Sequence, residues 1–283
     1  MASFWRRPSP YGTSFCGVTP PVVLTIGGSD SSGGSGVQAD LKTFAALGVF
    51  GTCALTAVTA KNTRQAADVY AMPPAMVASQ INAVLDDMPV AAVKTGMFPD
   101  ADSIGAVVGR AKSAGLRNLV VDPVLLNEGL KSRKQVASAL ERLLPFALVA
   151  TPNRDEASAL LGWQVATPAD MALAARQLVA GGPQYVVVTG GDLVTGTEAL
   201  DAVWAAGKER FMSAPRISGR NSVGSGAVFS AAIAARLAHG DEVVDALAYA
   251  KGLVGRAIQD AAEWRMGFGP GPMDVCGWST PVV

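Results

Sequence analysis

The stretch VVLTIGGSDSSGGSGVQADLKTFAALG, residues 22–48, decides the fold. It opens on a run of β-branched and apolar residues (22–27), crosses a loop with glycines at 27, 28, 33, 34 and 36, and enters a segment of helical period (37–47). A short, continuously apolar strand running into an amphipathic helix is the first half of a strand–helix–strand crossover, and such strands are buried on both faces. The same alternation repeats outward. Apolar runs at 52–59, 91–95, 118–122, 147–151 and 185–189 alternate with helical segments at 73–87, 101–114, 133–144, 153–161 and 168–181. This predicts an α/β fold whose central, mostly parallel sheet is flanked by helices on both faces. After 189 the order changes: 199–205 and 208–213 read as an antiparallel hairpin about Ala206-Gly207, and helices at 225–238 and 241–262 follow.

One domain is expected over 22–268. Residues 1–21 (MASFWRRPSPYGTSFCGVTPP) lack the apolar core of a secretory signal and read as a loose extension, with Val18 a candidate start of the native chain. Residues 269–283 are expected to form an irregular, Gly/Pro-rich tail. Apolar residues make up 49% of the chain and charged residues 16%, which supplies a sizeable core and excludes a disordered polypeptide. Lys+Arg and Asp+Glu balance at 23 each, so the chain has no overall basic field and nucleic acid is not expected as a partner. No apolar run reaches the length of about 18 that a membrane span needs. Cys16, Cys53 and Cys276 lie far apart without a CxxC, and the only histidine is His239. That rules out a Cys/His zinc site and points to a reducing, cytoplasmic setting. His239 sits at an expected helix end, where it meets the helix dipole rather than any chemistry.

In an open parallel sheet ligands collect outside the carboxyl ends of the strands, so the residues just after each strand are the ones to examine. The loop Gly27-Gly28-Ser29-Asp30-Ser31-Ser32-Gly33-Gly34-Ser35-Gly36 lets backbone approach a ligand, but its spacing fits neither GxGxxG nor GxxxxGK[ST]. Asn221-Ser222-Val223-Gly224-Ser225-Gly226-Ala227 runs directly into an apolar helix and has the form of an anion hole. Each loop alone is equally well a flexible or tightly packed turn. Asn153 and Glu156, in TPNRDE, stand three apart at a strand–helix junction, a spacing that suits oxygen ligands for Mg²⁺ but also a capping box. Asp122, in the run DPV, closes a very apolar strand where a lone charge is costly. Lys94, inside AAVKTGM, is equally out of place unless its stem snorkels along the sheet.

These segments together, and in this order, resemble the ribokinase-like vitamin kinases. GSDSSGGSGVQADLKTF (28–44), KTGM (94–97), DPV (122–124), TPNRDEA (151–157), VVVTGG (186–191) and GSG (224–226) are similar to the hydroxymethylpyrimidine/phosphomethylpyrimidine kinases of thiamine synthesis, with the related pyridoxal kinases beside them. The resemblance covers about Val22 to Phe268. It implies a ribokinase-like fold, often paired as a homodimer, that moves the γ-phosphate of Mg-ATP to a hydroxymethyl group on a pyrimidine or pyridine ring. By matching positions it places Gly28, Asp40, Met97 and Val124 around the ring, and Asp122, Asn153 and Glu156 at the Mg²⁺ and phosphates. Thr189, Gly190 and Gly191 would lie near the nucleotide, with Gly224, Ser225 and Gly226 as the anion hole.

Three positions depart from the family pattern. Ala227 stands where a cysteine or aspartate usually takes the alcohol's proton, so slow or absent turnover with retained binding is one expectation, unless Asp30, Ser225 or a water substitutes. Lys61 precedes Asn62-Thr63 where glutamine is usual. An ammonium only donates, whereas an amide both donates and accepts; Lys61 then faces either an anionic group of the substrate or solvent. Thr189 replaces a common lysine and looks more like the bacterial pyridoxal kinases. The readings open at this point are a thiamine-pathway kinase, a pyridoxal kinase and a catalytically weak binding homologue.

Overall fold

The computed structural model describes residues 19–125, 133–193, 196–217 and 219–279. Nine strands, β1 (Val22–Asp30), β2 (Phe50–Lys61), β3 (Ala66–Ala71), β4 (Val90–Thr95), β5 (Leu119–Val121), β6 (Val149–Ala150), β7 (Tyr185–Thr189), β8 (Glu198–Ala205) and β9 (Lys208–Pro215), form one sheet in the order β3-β2-β1-β4-β5-β6-β7-β8-β9. The pairings from β2 through β1 and β4 to β7 are parallel, and those of β3, β8 and β9 are antiparallel. The chain steps from β1 to β2 on one side and returns at β4 on the other. A crevice therefore opens at the carboxyl ends of β1 and β4, the switch point where such sheets bind ligands.

Helices cover both faces, as the alternation predicts. Alternate strand residues divide between two cores: Leu24, Ile26, Val93 and Val121 pack with α2 (Pro74–Leu85), α3 (Ala101–Ala114), α4 (Arg133–Glu141), α5 (Arg154–Leu161) and α6 (Pro168–Val179). Val23, Ala92, Val120 and Val187 pack with α1 (Gly36–Ala46), α7 (Ser225–His239) and α8 (Val243–Asp260). This two-sided burial explains why the strands read as unbroken apolar runs. The hairpin lies where expected, with Ala206 and Gly207 both at positive φ (50° and 74°), the geometry of a tight two-residue turn.

The sequence reading misses β3. Its residues, AADVYA, are mostly exposed on an edge strand and carry no alternation to read. The expected helix 133–144 stops at Glu141 and gives way to a 3₁₀ turn around Pro145. All but the last three residues of the 1–21 extension, Cys16 among them, lie outside the described residues, as do 280–283. Residues 267–279 contain no helix and no strand beyond the bridge Val223–Pro272, yet Met273 and Val275 are buried in the core beside α7 and α8, so this irregular segment is packed. Nε2 of His239, at the end of α7, lies 2.9 Å from the Leu47 carbonyl and ties that end to α1. No helix among the described residues is long and apolar enough to cross a membrane.

Candidate active site

Two cavities open along the carboxyl edge of the sheet. The smaller, about 360 Å³, lies at the β1/β4 switch point and takes in Gly28, Asp40, Lys61, Met97, Val124, Asp122, Asn153, Glu156 and Ala227. The larger, about 590 Å³, lies between β8, β9 and α8 and takes in Gly191, Ser225, Asp201 and Lys251. Thr189 and Gly226 line both. A molecule in one cavity therefore meets a molecule in the other at these two residues.

At the floor of the small cavity, Gly28 lets the Met97 side chain lie close over the backbone, and a Cβ there would push the Met97 methyl group aside. Beside it, Oδ1 of Asp30 accepts from the amide and hydroxyl of Ser32, and Oδ2 accepts from the amide and hydroxyl of Ser35. Nζ of Lys61 approaches the same Oδ2 at 3.2 Å and donates to Ser35 Oγ at 2.9 Å. Burial raises the Asp30 carboxyl, but the serine hydrogen bonds and the Lys61 charge outweigh it and bring it down to about 2. Both oxygens are engaged and proton affinity is low, so Asp30 is a poor substitute for the base that the resemblance leads one to expect at 227. Lys61 itself is not a solvent-facing strand end; it folds back over the first loop and lines the cavity.

Lys94 does not snorkel. It is 1% exposed and donates to both oxygens of Asp40 at 2.8 Å, while Thr25 Oγ1 donates to Asp40 Oδ2 at 2.6 Å. Lys94 also lies 3.9 Å from Asp122, whose Oδ2 accepts from Ser230 Oγ on α7 at 2.9 Å. Burial raises the carboxyls of Asp40 and Asp122 above the usual range; Lys94 opposes this at both, and the Asp40 charge adds to it at Asp122. Glu156 is pushed up to about 8 by burial and then by the charge of Asp122. Asn153 and Glu156 form the capping box of α5: the Glu156 amide donates to Asn153 Oδ1 and the Asn153 amide to Glu156 Oε2. The Asn153 side chain is thus engaged in the cap, and Glu156 both caps and faces the cavity.

Mg²⁺ fits this end of the site. Asp122 and Glu156 are hard oxygen donors whose mutual repulsion a divalent cation would relieve, and Thr151 Oγ1, buried in the same lining, has no hydrogen-bond partner. No group of three or more His, Cys, Asp or Glu gathers for a metal among the described residues. That is compatible with a cation held by one or two carboxylates and completed by phosphate oxygens.

At the junction, Gly224 caps α7 with φ at 84°, and a Cβ there would fall 2.0 Å from the Gly34 carbonyl. Only glycine permits the late loop to lie against the first one. The amides of Gly226 and Ala227 donate to no acceptor among the described residues, so the start of this fifteen-residue helix offers two free N–H groups where the cavities meet. Ala227 presents only a methyl group to the small cavity. Gly190 and Gly191 differ in role: the Gly190 amide donates to Asp201 Oδ1 and its Cβ would strike the Leu200 carbonyl at 2.4 Å, whereas Gly191 is open and lines the large cleft.

The profile of the phosphomethylpyrimidine kinase family matches residues 30–274. The chain belongs to that family. It is 42% identical over 269 residues to the thiamine biosynthesis bifunctional protein of Geobacter sulfurreducens, covering 94% of this chain and 53% of that protein. It is 40% identical over 265 residues to the hydroxymethylpyrimidine/phosphomethylpyrimidine kinase of Streptomyces coelicolor, covering 93% and 96%. The chain thus spans about half the length of the bifunctional relative and nearly all of the monofunctional one. An ADP complex of Bacillus subtilis pyridoxal kinase superimposes with a TM-score of 0.84 at 36% identity, covering 90% of this chain and 97% of that one, which fits the ribokinase-like fold expected from the motifs.

For a phosphomethylpyrimidine kinase family member, the sequence reading leaves out Thr25, Ser230, Thr151, Asp201, Lys251 and Arg216. Thr25 and Ser230 are small polar residues inside apolar segments and carry no motif, and Thr151 opens the TPNRDEA motif, in which nothing singles it out from Asn153 and Glu156. Asp201 interrupts the apolar run 199–205, the same signal that singles out Lys94, whereas Lys251 shares its helix with Asp245, Arg256 and Asp260 and carries no such signal.

Proposed function

We propose that this chain transfers the γ-phosphate of ATP to the hydroxymethyl group of 4-amino-5-hydroxymethyl-2-methylpyrimidine, and to its monophosphate, in thiamine biosynthesis. The observation that carries this reading is the meeting of two cavities at Thr189 and Gly226 beneath two unused helix-start amides. Phosphoryl transfer asks for in-line positioning and charge stabilisation rather than covalent help. In this reading the ring lies between Met97, Val124 and the Gly28 floor, with its hydroxymethyl group toward Ala227. The amides of Gly226 and Ala227 donate to the phosphoryl oxygens in flight. Bound Mg²⁺, held by Asp122 and Glu156, would supply charge neutralisation across the phosphates. The alcohol's proton, with no side-chain acceptor at 227, leaves through water or onto the transferred phosphoryl group. The homodimer expected of the family is part of this reading, and light scattering that gives twice 28.9 kDa checks it.

Lys61 favours a second reading, a pyridoxal kinase. Its ammonium, anchored by Asp30 and Ser35, suits a ring substituent that accepts hydrogen bonds or carries negative charge. ADP formation from Mg-ATP, measured with hydroxymethylpyrimidine and with pyridoxal against a no-acceptor blank, tests both. Turnover on the pyrimidine supports the main reading and turnover on pyridoxal alone the second; none on either leaves the binding homologue.

A further inference from the structure

The large cleft holds two cationic side chains among its lining residues, Arg216 and Lys251. Arg216 is engaged by backbone: Nη1 donates to the Gly191 carbonyl, and Nη2 donates to the carbonyls of Leu193 and Glu198. Lys251 is not. Its ammonium makes one bond, 2.7 Å to Asp201 Oδ2, and an ammonium has three donors. Asp201 is 3% exposed and its other oxygen accepts from the Gly190 amide at 3.1 Å, so one buried carboxylate ties the lysine to the turn that follows β7.

Along α8, Lys251 shares a helix face with Val254, Gly255 and Ile258, which lie three, four and seven residues on and line the same cleft. From 251 to 258 the helix advances about 10 Å, and over that length the face turns from charged to apolar. Ala199, Ala214 and Ile217 extend the apolar part of the wall. The charged end lies beside Thr189, where the two cavities meet, and Thr189 is neutral.

We propose that Lys251, positioned by Asp201, grips the polyphosphate of the nucleotide, which lies along α8 with its base against Val254 and Ile258. Lys251 touches the ligand, while Asp201 acts through Lys251 and the Gly190 amide as a positioning residue. This rests on the kinase reading above and adds to it the orientation of the nucleotide and the residue that senses its charge.

Calorimetric binding of ATP, ADP and adenosine to the full chain tests it. In Lys251→Met, ATP and ADP should bind about tenfold or more weakly, the usual cost of losing one charge-assisted hydrogen bond, while adenosine is unchanged. Lys251→Arg should recover most of the loss, and the slope of ADP affinity against salt should be shallower in Lys251→Met than in the parent. Because Lys251→Met leaves Asp201 buried without its cation, the double variant Asp201→Asn/Lys251→Met is measured alongside, with thermal unfolding as the check on folding. ADP affinity unchanged in both variants overturns the assignment but leaves the kinase reading standing, as does equal weakening of adenosine and ADP. Parent protein that binds neither ATP nor ADP overturns both.

Discussion

The two cavities are built in opposite ways. Around the small one, side chains are bonded to one another before any ligand arrives: Asp40 to Lys94 and Thr25, Asp122 to Ser230, and Asp30 to Ser32, Ser35 and Lys61. Around the large cleft, the cationic side chains are few, Lys251 held by Asp201 and Arg216 held by backbone carbonyls, and much of the remaining lining is small or apolar, with Gly191, Ser225 and Gly226 at one end and an apolar wall at the other. A fixed set of charges suits selection among small ring alcohols, where one misplaced donor decides. An open cleft with a few cations at one end and an apolar wall at the other suits a co-substrate recognised by phosphates and a flat base. Selectivity should therefore respond to substitutions on one side of Thr189, and nucleotide affinity to those on the other.

Ala227, on the wall of the small cavity, breaks the pattern most, because it is the one place there where a functional side chain is expected and absent. Restoring an acceptor with Ala227→Asp or Ala227→Cys should raise kcat by about 10²–10⁴ with little change in nucleotide affinity. Steady-state kinetics that show no gain in either variant would count against the missing-base account. Next in size, Lys94→Met leaves Asp40 and Asp122 buried without their cation and should cost about 3–5 kcal/mol in urea unfolding. Lys94→Met/Asp40→Asn should recover part of that loss, and if it does not, the buried pair is not the cause. A smaller effect is expected at Lys61: Lys61→Gln should shift the kcat/KM ratio of pyrimidine to pyridoxal toward the pyrimidine by about tenfold, without altering ADP affinity.

The carboxylates sharpen the contrast through pH. Glu156, raised to about 8, would hold a proton at neutral pH without metal, so a Mg²⁺ bound there would have to displace it. Its apparent affinity should rise by about tenfold per pH unit up to about 8 and then level off, and a flat profile between pH 6 and 8 would remove Glu156 from the metal site. Without metal, Glu156 stabilises the fold at low pH, and that contribution is lost as pH rises from the ordinary 4.5 through about 8. Asp30 does the reverse: its contribution is present above the ordinary 3.8 and lost as pH falls through about 2. Chemical denaturation across pH on Glu156→Gln and Asp30→Asn separates the two.

Much of this was legible in the sequence because it is local. The Gly-rich loops, the capping box at Asn153 and Glu156 and the β8–β9 turn are each fixed by a few neighbouring residues, and the parallel sheet follows from apolar runs buried on both faces. What the sequence hides is pairing at a distance. Asp40 and Lys94 are 54 positions apart and Asp122 and Ser230 are 108 apart, and nothing local in a lysine announces which carboxylate will hold it. The edge strand β3 was hidden for another reason: exposed on most sides, it needs no apolar pattern to form.

The bare wall at Ala227 has one more consequence, for fidelity. Where the cavities meet, an empty acceptor pocket lets water stand in the place of the alcohol, and a side chain able to take a proton would activate either. A methyl group would activate neither, so on the kinase reading idle hydrolysis of ATP in the absence of acceptor would be held down along with turnover. Such a kinase would trade speed for thrift, spending little nucleotide until a ring fills the pocket and displaces the water.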